Sequence, residues 1–259
     1  MKFQLIRNAT VILDFAGKRF LFDPMLAPKD SYPGFPGTYN SHRRYPTVDL
    51  PKPIEEIKKG LSAIIVTHTH ADHWDEAAIE TLDKDLPIFV QNEKDAEIIR
   101  QSQFTDVRVL NDVTYFEGIE ITKTPGQHGS DRLYQNAELA AALGETCGII
   151  LHHEREKKIY FAGDTIWTDA ITQVLNDEKP DIVALNTGDA RMDGYGSIIM
   201  GKEDVGRAYN TLKNAIILPI HMDAVGHAAL TREELKNYCA DLKLNDRVVL
   251  LDDGETIDL

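Results

Sequence analysis

The spacing of apolar and polar positions changes several times along the chain, and each change predicts an element. Three short β-rich runs open it, Phe3 to Ile6, Thr10 to Phe15 and Lys18 to Phe22, with Gly17 between the last two, and they predict a β-meander. Leu61 to Thr67 is a continuous apolar run, the pattern of a strand buried on both faces. Ala78, Ile79 and Leu82, then Ala96, Ile98 and Ile99, recur at helical spacing. They predict helices over Asp75 to Lys84 and Asn92 to Gln103, on either side of a strand at Pro87 to Val90. Val107 to Leu110, Val113 to Phe116 and Ile119 to Thr124 read as strands.

The second half repeats this logic. Thr146 to His152 and Lys158 to Ala162 form a hairpin around Glu154 to Lys157, followed by a helix near Thr168 to Asn176 and a strand at Asp181 to Asn186. Lys202 to Leu212 is helical and Ile216 to Ile220 is a buried strand. Thr231 and Glu234 form a capping box for a helix ending near Ala240, and Arg247 to Leu251 and Glu255 to Leu259 predict a closing hairpin across Asp252-Asp253-Gly254. Two connectors keep no period. Pro24 to Pro53 holds seven prolines and reads as a lid, a binding loop or a disordered stretch, and Gly129 to Gly144 is polar with an Ala-rich piece. The expected fold is α/β, with two mixed β/α halves packed sheet against sheet and helices outside. No Gly/Ser linker divides it, so residues 1–259 read as one domain with a lid-like loop at 24–60.

Composition narrows the function. With 28 Lys+Arg against 42 Asp+Glu the net charge is −14, which disfavours nucleic acid and anionic membrane surfaces as partners. No run reaches the roughly 18 apolar residues of a membrane helix. The two cysteines, Cys147 and Cys239, lie too far apart for a thiolate knuckle and read as buried, reduced thiols. A cytoplasmic setting and a small-molecule partner are expected, with homo-oligomerisation left open.

The chemistry starts where the apolar strand ends, at Thr67-His68-Thr69-His70-Ala71-Asp72-His73. In an extended segment His68 and His70 point to one side, and the turn before Trp74 lets Asp72 and His73 reach a neighbouring point. Two adjacent ligand sets imply two metal ions, and imidazole with carboxylate suits zinc, manganese, iron or cobalt. Three further hard ligands, His128, Asp164 and His221, each follow a strand, where α/β folds collect ligands.

H-x-H-x-D-H after a strand, then a lone His, an Asp in Gly-Asp-Thr and a His after Leu-Pro-Ile, resembles the metallo-β-lactamase superfamily. The resemblance implies an αββα sandwich with a dinuclear site at the sheet edge. It implies that His68, His70 and His128 hold one metal, that Asp72, His73 and His221 hold the other, and that Asp164 bridges them. The antibiotic-hydrolysing branch is exported and its best-known members carry Cys where Asp164 stands; the flavodiiron branch has Glu where His70 stands; RNA-processing branches add domains or basic exosites, and hydroxyacylglutathione hydrolases add a helical C-terminal region. Asn8 to Leu13 leading to Leu21-Phe22-Asp23-Pro24 is similar to the branch of ascorbate-6-phosphate lactonase and related metal-dependent hydrolases.

Zinc or manganese leads as the expected metal, and metal coordination lowers the pKa of water from 15.7 to about 7, so a metal-bridging hydroxide is the expected nucleophile. Asp72 would orient or receive the proton of the attacking water, and Asp23 would hold a ligand histidine in its binding tautomer. His227 would contact substrate or protonate a leaving group. Arg43 and Arg44 suit a phosphate or carboxylate group, and Asp189 lies on the ligand-bearing edge. The expected activity is hydrolysis of a small, anionic metabolite at a lactone or phosphate-ester bond. The alternatives are a phosphodiesterase or amide hydrolase of the same fold, and a non-enzymatic metal-dependent binding protein.

Overall fold

A computed structural model describes residues 1–259. The chain opens with strands β1 (Lys2–Arg7), β2 (Thr10–Phe15) and β3 (Lys18–Phe22), then helix α1 (Ile54–Ile57) and strand β4 (Ala63–Val66). Helix α2 (Glu76–Thr81), strand β5 (Ile88–Val90), helix α3 (Glu93–Gln101) and strands β6 (Val107–Val109), β7 (Val113–Phe116) and β8 (Ile119–Pro125) follow. Helices α4 (Asp131–Tyr134) and α5 (Ala137–Leu143) lead to strands β9 (Cys147–His152) and β10 (Ile159–Phe161). The remainder comprises α6 (Asp169–Glu178), β11 (Ile182–Asn186), β12 (Arg191–Met192), β13 (Gly196–Ser197), α7 (Lys202–Thr211), β14 (Ile216–Ile220), α8 (Arg232–Asp241) and β15 (Thr256–Asp258).

Two sheets carry the fold, in the orders β15-β1-β2-β3-β4-β5-β6 and β14-β11-β10-β9-β8-β7. The Ala16-Gly17 turn joins β2 and β3 with both residues at positive φ, the backbone twist that suits a two-residue hairpin. Period-two alternation then sorts side chains to two different cores. Phe20, Phe22, Ala63 and Ile65 meet Ile149, Phe161 and Ala184 of the facing sheet, while Leu21, Ile64 and Val66 turn outward onto Trp74, Ala78 and Ile99. On the far face of the second sheet Tyr160, Val183, Leu185 and Ile217 pack under Ile171, Val205 and Leu235 of α6, α7 and α8. The layers are therefore helix, sheet, sheet, helix, as the resemblance implied. Phe22 stacks on Phe161 at 3.9 Å between ring centroids, locking β3 to β10 just below the strand ends that bear Asp23 and Asp164. Each fully buried phenylalanine contributes about 2 kcal/mol.

Three expectations need correction. Gly129 to Gly144 is a pair of short helices, because Asn136 caps α5 through Glu138 and Leu139 N–H, while Leu133 and Leu143 pack on Ile198 and Ile199. The closing hairpin does not form. Val248 bridges Ile217 at the edge of the second sheet, whereas β15 pairs with β1 at the edge of the first, so Asp252-Asp253-Gly254 crosses between sheets. The proline-rich segment at 24–53 is no loose flap. The buried Arg7 guanidinium donates to the carbonyls of Val48, Met25 and Ala27 at 2.9, 2.8 and 2.8 Å, and Met25 and Tyr45 are buried against Ala224 and Val225. Cys147 and Cys239 are buried and unpaired. No helix is long and apolar enough to cross a membrane.

Candidate metal centre

β4 and β5 run parallel to β3, and β11 and β14 run parallel to β10, so the carboxyl ends of both sheets open on one edge. There the chain leaves its strands at Asp23, His68, His128, Asp164 and His221. Two glycines make that convergence fit. A Cβ at Gly163, where φ is +67°, would lie 2.3 Å from the Cys147 carbonyl, and one at Gly188 would lie 2.1 Å from that of His221. Asn8, Asp23 and His221 hold left-handed φ of 58°, 41° and 62°. Backbone strain of this kind persists where surroundings over-determine it, here by His221 N–H to Asn8 O at 2.9 Å and Asp23 N–H to Ile65 O at 3.0 Å.

His68, His70 and His128 form one potential ligand group, His68, His73 and Asp164 a second, and Asp72, His73 and His221 a third, with ligand atoms within 4.8 Å in each group. Asp164 touches both sides. Its Oδ2 lies 3.3 Å from His73 Nε2, 3.7 Å from His128 Nε2 and 3.9 Å from His68 Nε2, and its Oδ1 lies 3.6 Å from His221 Nε2. His221 Nε2 is also 3.3 Å from Asp72 Oδ2.

The outer nitrogens set the tautomers. His128 Nδ1 donates to Ile198 O at 2.9 Å, and His70 Nε2 to Ala142 O at 3.1 Å. The Thr67 hydroxyl gives its proton to Asp23 Oδ2 at 2.8 Å, so at 3.2 Å it accepts from His68 Nδ1. The inward nitrogens of His68, His70 and His128 therefore carry lone pairs. His68 Nε2 faces His70 Nδ1 at 3.0 Å, and His73 Nε2 faces His221 Nε2 at 3.0 Å. Lone pairs so placed repel unless a cation stands between them, and two nitrogens about 2.1 Å from a common ion at near-tetrahedral angles are separated by about 3.0–3.4 Å. The residues present fit divalent metal.

Burial pushes His68 well below its ordinary range and lowers His128 to about 4, so both imidazoles are neutral, the form that can ligate a metal. At His73 and His221 burial acts the same way, but the charges of Asp164 with Asp23, and of Asp164 with Asp72, outweigh it and raise both. Burial raises Asp72 and Asp164; their histidine neighbours outweigh it and hold both carboxyls below the usual carboxylate range. Asp72 is thus suited to orient rather than to take up a proton.

The structure places the other expected residues unequally. Asp23 Oδ2 stands 3.0 Å from His73 Nδ1, and Asp23 Oδ1 accepts the Thr67 N–H at 2.7 Å. His227 is buried close to the centre, its ring edge-on to Phe35 at 4.7 Å, its Nδ1 without a partner, and burial lowers it to about 4. Arg44 is spent within its own loop, donating to Asp30 O and Ser31 O at 2.7 and 2.8 Å. Asp189 is likewise engaged, by Arg191 at 2.5 Å and by Ser197 Oγ, where it anchors β12 and β13. Arg43 is exposed and makes no side-chain hydrogen bond or ion pair; its Cβ packs beside Gly226. Sequence reasoning missed Asn8, whose Nδ2 donates to Asp72 O at 3.1 Å, and Asn186, whose Nδ2 donates to Asp164 Oδ1 at 2.6 Å. The one signal for Asn186 was an amide at the end of an otherwise apolar strand.

Residues 18–222 match the model of the beta-lactamase superfamily domain. The UPF0173 protein YddR of Bacillus subtilis strain 168 is 42% identical, covering 99% of both chains. A UPF0173 metal-dependent hydrolase of Methanopyrus kandleri is 25% identical, over 74% of this chain and 80% of its own. Among solved structures, the isothiocyanate hydrolase from Delia radicum gut bacteria superimposes with a TM-score of 0.98 at 47% identity, covering 100% of this chain and 99% of that one. Layer order, ligand cluster and relatives agree, and the chain belongs to the metallo-β-lactamase superfamily, within its UPF0173 group of metal-dependent hydrolases.

Proposed function

We propose that this metal-dependent hydrolase works with two divalent ions, zinc or manganese, and that it cleaves a small molecule at an electrophilic carbon, with the isothiocyanate group as the leading substrate. The observation that carries the proposal is the convergence of the imidazole nitrogens of His68, His73, His128 and His221 on Asp164 from both sides. His68, His70 and His128 would hold one ion, Asp72, His73 and His221 the other, with Asp164 shared. Bound there, the ions supply Lewis acidity and lower the pKa of a coordinated water toward about 7. The 47% identity to an isothiocyanate hydrolase across the whole chain supports the substrate class.

The reaction is R–N=C=S + H2O → R–NH2 + COS. Water oxygen bonds to the central carbon, the C–N bond breaks, and both water protons finish on nitrogen while sulfur stays on carbon. Asp72, held ionised, accepts a hydrogen bond from the attacking water and fixes its direction. Asn186 and Thr146 hold Asp164 at its side-chain and main-chain oxygens, at 2.6 and 2.7 Å. His227, neutral at physiological pH, positions the substrate nitrogen or sulfur through one hydrogen bond. Lactone and phosphate-ester bonds, which the similarity to the lactonase branch suggests, stay as the second reading because the exposed Arg43 guanidinium has no hydrogen-bond or ion-pair partner within the chain.

The test is elemental analysis of freshly purified protein, combined with turnover of phenethyl isothiocyanate, a γ-lactone and an aryl phosphodiester before and after chelation. We expect about two equivalents of metal, and chelator-sensitive release of amine and carbonyl sulfide. His70→Ala should abolish turnover with the fold retained by circular dichroism. Full activity of that variant, or one equivalent of metal with unimpaired turnover, would sink the dinuclear reading.

A further inference from the structure

Six of the seven cluster residues, His68, Asp72, His73, His128, Asp164 and His221, are at most 3% exposed. His70 is the exception, and its ring is half-buried. A cleft of about 760 Å³ between α3 and α5 reaches it, lined by His68 and His70 at its inner end and by Ile98, Ala140 and Ala141 on its walls. Its volume falls among those of small-molecule sites, roughly 300–1,000 Å³. Each wall presents exposed apolar side chains, beside Asn92, Lys94 and Asp95 on the α3 side and Glu145 on the α5 side. Ile98 on α3 is 39% exposed, and Ala141 and Ala142 on α5 are exposed beside it.

We propose that the α3/α5 cleft receives the organic substituent of the substrate, and that Ile98 and Ala141 set the size and apolarity of the group accepted. The proposal rests on the hydrolase reading above. The centre is reached at His70, so a molecule whose electrophilic carbon lies at the cluster must extend its remaining atoms into the space His70 faces. An alkyl or aralkyl group suits the side of that space formed by Ile98, Ala140 and Ala141, while Asn92, Lys94, Asp95 and Glu145 line the rest of it. The α5 wall is also tied to the centre itself: the Ala142 carbonyl accepts from His70 Nε2 at 3.1 Å, so the helix that gauges the substituent also orients that imidazole.

The experiment compares kcat/KM for methyl, allyl, benzyl and phenethyl isothiocyanate in the wild type, in Ala141→Trp and in Ile98→Ser. Both sites are exposed, so both variants should fold. Trp at 141 fills the cleft and Ser at 98 removes its apolar wall, so the phenethyl-to-methyl ratio should drop about ten-fold or more in each, the effect of un-burying most of a phenyl ring. Saturation-transfer NMR with 2-phenylethanol on metal-free protein gives a readout that needs no turnover, and its signal should fall in both variants. An unchanged ratio together with unchanged 2-phenylethanol binding would overturn the cleft assignment. If the wild type hydrolyses lactones and not isothiocyanates, the substrate class falls, and the same ratio taken over γ-lactones of increasing tail length decides the cleft. If no substrate is turned over, the 2-phenylethanol measurement alone decides it.

Discussion

Residues 24–53 and 129–146 both interrupt the regular elements beside the metal cluster, yet the structure holds them in opposite ways. The first, with its seven prolines, is a fixed wall. Arg7 reaches up from β1 to three of its carbonyls, Asp75 Oδ2 accepts the Ala27 N–H at 2.7 Å, and the Thr47 N–H donates to Ala224 O at 2.8 Å. The second is made of short helical turns with fewer buried side chains, held at its C-terminal end by the bonds of Ala142, Glu145 and Thr146 to His70, Gln91 and Asp164. Leu133 and Leu143 are its buried anchors, and most of α5 faces solvent. Irregular backbone can therefore be the firmer of two neighbours, because its polar groups are met from inside the fold. The pairing suits a hydrolase: one wall packs Phe35 against His227, and the other lines the α3/α5 cleft beside His70.

The largest effect should come from breaking the firm side. Arg7→Met strands the carbonyls of Val48, Met25 and Ala27, and should lower unfolding free energy by about 3–5 kcal/mol in urea titrations, with a matching loss of turnover. A loss under about 1 kcal/mol would make the two connectors equivalent.

Acid should act next, at His227. Burial lowers its folded pKa from 6.5 to about 4. The unfolded chain thus binds this proton more readily, so the stability associated with the neutral ring is complete above about pH 6.5 and declines as pH falls toward 4. The decline is up to about 3 kcal/mol at 1.36 kcal/mol per unit. His227→Phe should flatten that part of the stability profile of metal-free protein; equal slopes in both proteins between pH 6.5 and 4.5 would remove His227 from the account.

Smallest is the effect expected on the thin side. Asn136 Oδ1 accepts from Glu138 and Leu139 N–H at 3.1 and 3.3 Å. Asn136→Ala should cost about 1 kcal/mol locally, seen as roughly five-fold faster amide exchange in residues 140–144 with the urea midpoint nearly unmoved. Global unfolding at a markedly lower urea concentration would show that α5 is instead part of the cooperative core.

Much of the fold was readable because period-two and period-3.6 patterns are local. β2, β3, β7 and β14 match their expected spans, and α8 begins at its capping box. The failures fall where distant chain decides. The Arg247 to Leu259 segment carries a good hairpin pattern, but each half finds a better unpaired edge, on β14 and on β1. Among the candidate site residues, the histidines and aspartates that follow strands are brought together. Arg44 and Asp189 were readable only as charges, and their partners, Asp30, Ser31, Arg191 and Ser197, come from loop geometry.

The sequence alone determined which side chains gather at the sheet edge: hard potential ligands placed one step beyond buried strands, on a chain whose alternation demands two packed sheets. Only the tertiary structure decided how those atoms are used. Which imidazole nitrogen faces inward depends on Ile198 O, Ala142 O and Thr67 Oγ1, and which face opens to substrate depends on how α3 and α5 stand about His70. The reason is range. Periodicity and strand-end chemistry are properties of neighbours in the chain, whereas tautomer, burial and access depend on groups that meet only when the chain has closed on itself.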